Sequence, residues 1–155
     1  MVPINKERLI QQIKEDEGFS PKAYFDRDQW SIGYGCKGRE GQVITPNEAD
    51  ILLKVRIEQS NREFNIVFGK DADTKFNDVR AEAFINILFN IGMGKQGGTK
   101  GLYGFKNTLK LITDYDPVEW LKVAANLKLS LWYNQVGKRA MRIVNEIRTG
   151  VKDVL

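Results

Sequence analysis

Three side chains have the types and spacing to do chemistry: Glu17, Asp26 and Ser31. Eight residues lie between the two carboxylates and four between Asp26 and Ser31. Glu17 precedes Gly18 and closes a segment with Ile4, Leu9, Ile10 and Ile13 at helical spacing, which places it at the C-terminal end of a helix. The negative end of the helix dipole disfavours a further negative charge there, so the protonated acid is relatively favoured. Asp26 falls beyond the break, in a stretch of Tyr, Phe, Trp and Gly that reads as a hairpin. An acid that donates a proton to a glycosidic oxygen, a carboxylate that activates water and a hydroxyl that holds the water would together hydrolyse a glycoside. Two ordinary surface carboxylates would show the same spacing, and spacing alone leaves both readings open.

The chain has no histidine. That excludes Ser-His-Asp and Cys-His catalysis, imidazole acid/base chemistry and histidine-containing zinc sites. Carboxylates become the leading proton carriers near neutral pH. Cys36 is the single cysteine; it rules out an internal disulfide and fits a reducing compartment. With no histidine to activate it, it reads as an incidental small residue rather than a nucleophile.

The elements that must position these groups can be read in order. The first helix spans 4–17, with Asn5 as candidate cap and Gly18 at its end, and Pro21 blocks its resumption. From Ala23 to Ile44 a small hairpin sheet is expected, with a turn or loop at 37–41. Thr45-Pro46-Asn47-Glu48 is a strong helix start, a capping box with proline at the first helical position. The long helix it opens runs to Phe68, where Gly69 ends it, and Gly69–Lys75 reads as a polar connection. Residues 77–91 are apolar on nearly every side beyond Glu82 and predict a helix in the middle of a core. Gly92–Gly104 holds six glycines and predicts a mobile or tightly turning loop. Its lack of a Gly-Lys-Ser/Thr ending rejects a phosphate-binding loop. Helices are expected over Phe105–Thr113, Pro117–Leu129 and Lys138–Arg148, with Trp132-Tyr133-Asn134-Gln135 near a junction. Trp120, Trp132 and Phe84 read as core, Asp28 as a turn carboxylate, and Trp30 as strand core or a sugar platform. The fold class is α+β, with two lobes and a cleft between them.

The 155 residues carry a net charge of +4, 42% hydrophobic and 28% charged residues, the composition of a folded globular domain. No apolar run is long enough to cross a bilayer and the N-terminus has no apolar signal core. Nine Lys/Arg in 95–142 face only Asp114, Asp116 and Glu119, a bias that suits nucleic acid, a membrane surface or an acidic wall polymer unless it is simply a solvated basic face.

Glu-Gly-Phe, Ala-Tyr-Phe-Asp and Trp-Ser-Ile-Gly-Tyr-Gly, in that order over 17–35, resemble the signature of the phage-type lysozymes of glycoside hydrolase family 24, which includes the lysozyme of the T-even phages. In that family a Glu is followed after eight residues by an Asp, and after five more by a Thr. Asp78-Val79-Arg80 with Ile85–Phe89, Gly104–Leu109, Ala125-Asn126-Leu127, Trp132–Gln135, Arg139-Ala140 and Arg148-Thr149-Gly150 continue the likeness over essentially the whole chain. The resemblance implies one lysozyme-like domain over 1–155, with an N-terminal lobe at about 14–58 and a C-terminal helical lobe at about 70–155 plus the first helix. It implies a lysozyme that cleaves the β-1,4 bond between N-acetylmuramic acid and N-acetylglucosamine with inversion, with carboxyls about 6.5–9.5 Å apart. Glu17 then matches the general acid, Asp26 the carboxylate serving water and Ser31 the residue that positions the water. Lys37, Phe89, Thr108 and Asn126 match sugar-contacting positions, and Arg139 the arginine that pairs with the catalytic Glu. The expected partner is bacterial peptidoglycan, with no nucleic acid, no membrane insertion and a monomeric state. No metal or organic cofactor is called for. The expected location is the cytoplasm, with the wall reached through a separate membrane pore as endolysins do.

The chain departs from the family pattern at three points. The Asp26–Ser31 turn is one residue shorter and lacks its usual glycine, Ser31 replaces threonine and so loses the methyl that restricts rotamers, and Cys36 stands where common members carry histidine. These departures motivate the rival reading, a catalytically weakened peptidoglycan-binding relative of the same fold. A nucleic-acid-binding domain would use the basic half, although no motif for it is present. A lytic transglycosylase would need one acid and no water-directing aspartate.

Overall fold

The computed structural model describes residues 3–153. The architecture is α+β: an N-terminal helix, a small three-stranded antiparallel sheet, a long helix and a helical C-terminal part. By compactness the chain forms two units, Lys6–Gln59 and, with the few residues before Lys6, the chain from Ser60 onward. The division falls inside the long helix. The first helix, grouped above with the C-terminal helices, belongs by compactness to the unit that holds the sheet.

In the first unit, α1 (Lys6–Glu17) buries Leu9 and Ile13 on one face. It stops at Gly18, whose N–H donates to Lys14 O at 2.9 Å. β1 (Ser20–Asp26) and β2 (Gln29–Gly33) pair in the register Tyr24↔Ser31, Phe25↔Trp30 and Asp26↔Gln29. β3 (Cys36–Lys37) then pairs Ser31↔Lys37 and Ile32↔Cys36. Ile32, Ile44 and Ala49 form the small core beneath, joined by Ala23, Tyr34 and Leu52. Lys14 bonds Asp50 at 2.8 Å and lies over the Tyr34 ring, fixing the end of α1 near the long helix α2 (Pro46–Phe68). The start of α2 is the expected capping box: Thr45 N donates to Glu48 Oε1, and Glu48 N to Thr45 Oγ1, both at 3.1 Å.

The second unit is built around α4 (Asp78–Ile91), which is capped by the Asn77 side chain accepting from Arg80 N and buried from Ala81 through Phe89. Phe64, Phe68, Phe76 and Phe84 pack as a cluster of tilted and edge-on rings with centroids 4.7–5.5 Å apart. Side chains at the start of α4 also take up the last carbonyls of α8 (Lys138–Thr149), which a helix end leaves without partners. Arg80 Nε donates to Ile147 O at 2.7 Å, and Asn77 Nδ2 donates to Gly150 O at 2.9 Å. Between them lie α5 (Lys106–Thr113), α6 (Trp120–Lys128) and α7 (Leu131–Val136).

Several expectations shift. The connection after Gly69 contains a one-turn helix, α3 (Asp71–Thr74), because Ala72 is fully buried. α6 begins at Trp120 rather than Pro117, since Glu119 is not helical (φ −85°, ψ 83°) and its carbonyl accepts the first helical N–H groups. Trp132-Tyr133-Asn134-Gln135 lies within α7, started by the Ser130 hydroxyl accepting from Tyr133 N. Residues 92–104 are tightly turned: a Cβ on Gly101 would sit 2.5 Å from Gly94 N, so backbone packs directly on backbone. A 3-10 turn, Leu102–Gly104, closes the segment on the buried Leu102. Phe84 and Trp132 are core as expected, whereas Trp120 and Trp30 are only half-buried. Trp120 covers Arg80, whose guanidinium lies 4.7 Å from its ring centre. Trp30 packs edge-on against the exposed Phe25.

Candidate active site

The hairpin gathers most of the candidate chemistry of the first unit. In an antiparallel pair, side chains two apart along a strand, and those directly opposite across it, share a face. Tyr24 and Asp26 on β1, Gln29 and Ser31 on β2 and Lys37 on β3 therefore share one face, given the pairs Asp26↔Gln29, Tyr24↔Ser31 and Ser31↔Lys37. Asp26 and Lys37 are exposed and Ser31 is 4% exposed. Arg27 and Asp28 form the two-residue turn, with Arg27 in the left-handed region at φ 61°. Tight hairpin turns require a positive φ at the first central position, so the missing glycine is replaced by an arginine held in a conformation costing about 1–2 kcal/mol for an L-residue. The shortened turn thus keeps a regular pairing and places Asp26 two rungs from Ser31. Asp28 is an exposed turn residue.

Glu17, the last residue of α1, is half-buried. A Cβ on Gly35 would lie 2.5 Å from Glu17 Oε1 and 3.0 Å from its Cδ, and Gly35 has φ 73°. The carboxyl group therefore rests on the bare backbone between β2 and β3, a place that only glycine provides. Its charge reaches Tyr24 and Cys36. Burial raises the Tyr24 phenol above its ordinary range, the Glu17 and Asp26 carboxylates push it further up, and the facing Ser31 hydroxyl partly offsets them. The phenol thus stays protonated and stands within the field of both carboxylates. Burial likewise raises the Cys36 thiol, against Arg56 and with Glu17, which keeps it an unreactive thiol.

The remaining candidates belong to the second unit. Thr108, buried on α5, donates through Oγ1 to Asn126 Oδ1 on α6 at 2.6 Å. With its oxygen so engaged, the Asn126 amide presents N–H donors to a ligand. Phe89 is 7% exposed near the end of α4. Arg139 donates to Asn86 Oδ1 through Nε at 3.0 Å and Nη2 at 2.7 Å, so a buried amide of α4 holds its guanidinium plane. Sequence reasoning did not single out Tyr24, Gly35 or Asn86. The signal for Asn86 was present, as the one polar residue in the run Ala83–Phe89.

Two comparisons with known proteins bear on this arrangement. The family model described as phage lysozyme matches residues 14–145. The chain belongs to the phage lysozyme family, whose activity is that of a lysozyme, the hydrolysis of peptidoglycan (EC 3.2.1.17). It is also similar to a protein of Dictyostelium discoideum named probable T4-type lysozyme 2, with 27% identity over 163 aligned residues covering 92% of this chain and 94% of that protein. No helix among the described residues is long and apolar enough to cross a membrane.

Proposed function

We propose that the protein is an inverting muramidase that cleaves the β-1,4 bond between N-acetylmuramic acid and N-acetylglucosamine. Glu17 donates its proton to the glycosidic oxygen as the bond from that oxygen to the anomeric carbon breaks. A water held by Ser31 gives a proton to Asp26 as its oxygen bonds to the anomeric carbon from the opposite face, through an oxocarbenium-like transition state. The observation that carries this reading is the hairpin face, where Asp26 and Ser31 sit two rungs apart, together with Glu17 held at the end of α1 against Gly35. Sugar contact by Lys37, Phe89, Thr108 and Asn126, and support of Glu17 by Arg139, are parts of the same proposal and rest on the family resemblance. So does an endolysin role in which the wall is reached through a separate pore.

One observation favours a second reading, a wall-binding relative with weakened catalysis: Arg27 occupies a glycine-type conformation beside Asp26. Proton NMR of the first product from purified peptidoglycan separates the readings. An α anomer is expected at the new reducing end. A β anomer contradicts inversion, an anhydro sugar indicates a transglycosylase, and tight binding without new reducing ends supports the second reading.

A further inference from the structure

We propose that a cavity on α8, on the side of that helix opposite Arg139, is a second binding site that holds the short peptides branching from the wall polymer. The inference goes beyond the cleavage chemistry and rests on peptidoglycan being the substrate. The cavity has a volume of about 320 Å³, at the lower end of ligand sites and suited to a short peptide rather than a folded partner. Met141, Val144, Asn145 and Arg148 of α8 line it, together with Lys128 from the end of α6 and Tyr133 from α7. A helix turns by about 100° per residue, so Met141, Asn145 and Arg148 lie about 180–240° around α8 from Arg139. Arg139 shares its side of the helix with the buried Ile143 and Ile147. The cavity is thus separate from Arg139 and the Asn86 amide that holds it.

The lining fits a peptide that carries both carboxylates and an amine. Arg148 Nη2 donates to Asn145 Oδ1 at 2.6 Å, which holds the guanidinium plane and leaves its other N–H donors to meet a carboxylate as a fork. Asn145 Nδ2 in turn donates to Asp153, which also lines the cavity. Gly150 reverses the chain in a left-handed conformation, and Asp153 N donates to Glu146 Oε2 at 3.2 Å, so the segment that carries Asp153 is itself tied to α8. Among the described residues neither Lys128 nor Arg148 forms an ion pair with a carboxylate. Two cations therefore face the cavity with Asp153 as its one acidic lining group, while Met141, Val144 and the Tyr133 ring add apolar surface. Wall peptides combine alanine methyl groups, carboxylates and the amine of a diamino acid, and they match this set. A phosphodiester polymer or a nucleic acid has no such amine and meets like-charge repulsion from Asp153. One polymer carries both the glycan to be cut and the peptides, so a peptide held here raises the local concentration of glycan at the reacting groups. The gain falls on KM, not on kcat.

The test is a titration of the full chain with the soluble pentapeptide Ala-γ-D-Glu-Lys-D-Ala-D-Ala, followed by amide NMR. Shifts are expected at Lys128, Tyr133 and residues 141–153. Lys128→Glu and Arg148→Gln should each weaken binding by about 10-fold, the size of a lost charge-assisted hydrogen bond, with the melting temperature of Lys128→Glu unchanged. On purified peptidoglycan, Lys128→Glu should raise KM by about 3- to 10-fold at constant kcat. Shifts confined to other residues, unchanged affinity in both variants, an unchanged KM, or equal binding of a glycerol-phosphate polymer at the same amides would overturn the inference. Glu17→Gln separates this site from the catalytic proposal, because it should bind the pentapeptide as the wild type does. If Glu17→Gln is inactive and the wild type binds no pentapeptide, this inference alone fails. If Glu17→Gln stays active while the pentapeptide binds at α8, the acid assignment fails and the second site stands.

Discussion

The two units of the chain handle polar groups in opposite ways. Around α4, polar side chains are tied in pairs of one buried and one half-buried partner at the edge of an apolar core: Arg139 to Asn86, Thr108 to Asn126 and Trp132 Nε1 to Asn90. On the hairpin the carboxylate of Asp26 is exposed, Glu17 is half-buried, and the turn joining the strands holds Arg27 in a left-handed conformation. The helical unit places polar groups where satisfaction stabilises the fold. The hairpin accepts local strain and exposure, as the proposed chemistry of groups that change protonation and meet water would require. Substitutions in the packed core around α4 should move stability, those on the hairpin should move rate, and those at Thr108, Asn126 and Arg139, which the proposed function places at the substrate or beside Glu17, should move both.

Phe84→Ala in the aromatic cluster is the strongest way to break this division. It should cost about 3–5 kcal/mol, as for a fully buried aromatic ring, measured by urea unfolding, while the folded fraction hydrolyses peptidoglycan at the wild-type rate. A rate loss beyond the unfolded fraction would count against the division. Gly35→Ala should act mainly on rate. Its Cβ would meet the Glu17 carboxyl at 2.5 Å, and the displaced acid should lower kcat by about 100-fold, since small misplacements of reacting groups cost that much. Asn86→Ala leaves the half-buried Arg139 guanidinium without the buried amide that holds its plane, and should cost about 1–3 kcal/mol in denaturant. Arg27→Gly is the smallest and has the opposite sign. It relieves the left-handed conformation against the entropy glycine loses on folding, for a net gain of about 0.5 kcal/mol. A loss of stability would show that the arginine side chain contributes contacts that outweigh its backbone strain.

What could be read in the sequence was what local chemistry decides. Thr45-Pro46-Asn47-Glu48 carries its own capping box and Gly69 its own stop, and both act as read, whereas the cap that Asn77 makes on α4 was not singled out. The carboxylates and Ser31 were legible from type and order, and the register now shows which of them share a face. Gly35 was not legible as a site residue, because a glycine that makes room for a carboxyl looks like any other turn glycine until the chain is folded. Tyr24 read as an ordinary strand aromatic for the same reason: its partner Ser31 is seven positions away and becomes adjacent only through the hairpin register. Pro117 misled the helix boundary because proline suits a first helical turn in general, whereas here the first turn forms after Glu119.

The central claim is that Glu17, resting on Gly35 at the end of α1, is the proton donor for glycosidic cleavage. The most direct measurement is reducing-end release from purified peptidoglycan by Glu17→Gln beside the wild type, with melting temperatures recorded for both. A loss of at least about 1,000-fold in rate is expected, on the scale of a lost general acid, with the melting temperature preserved. Substantial release by a folded Glu17→Gln protein would contradict it.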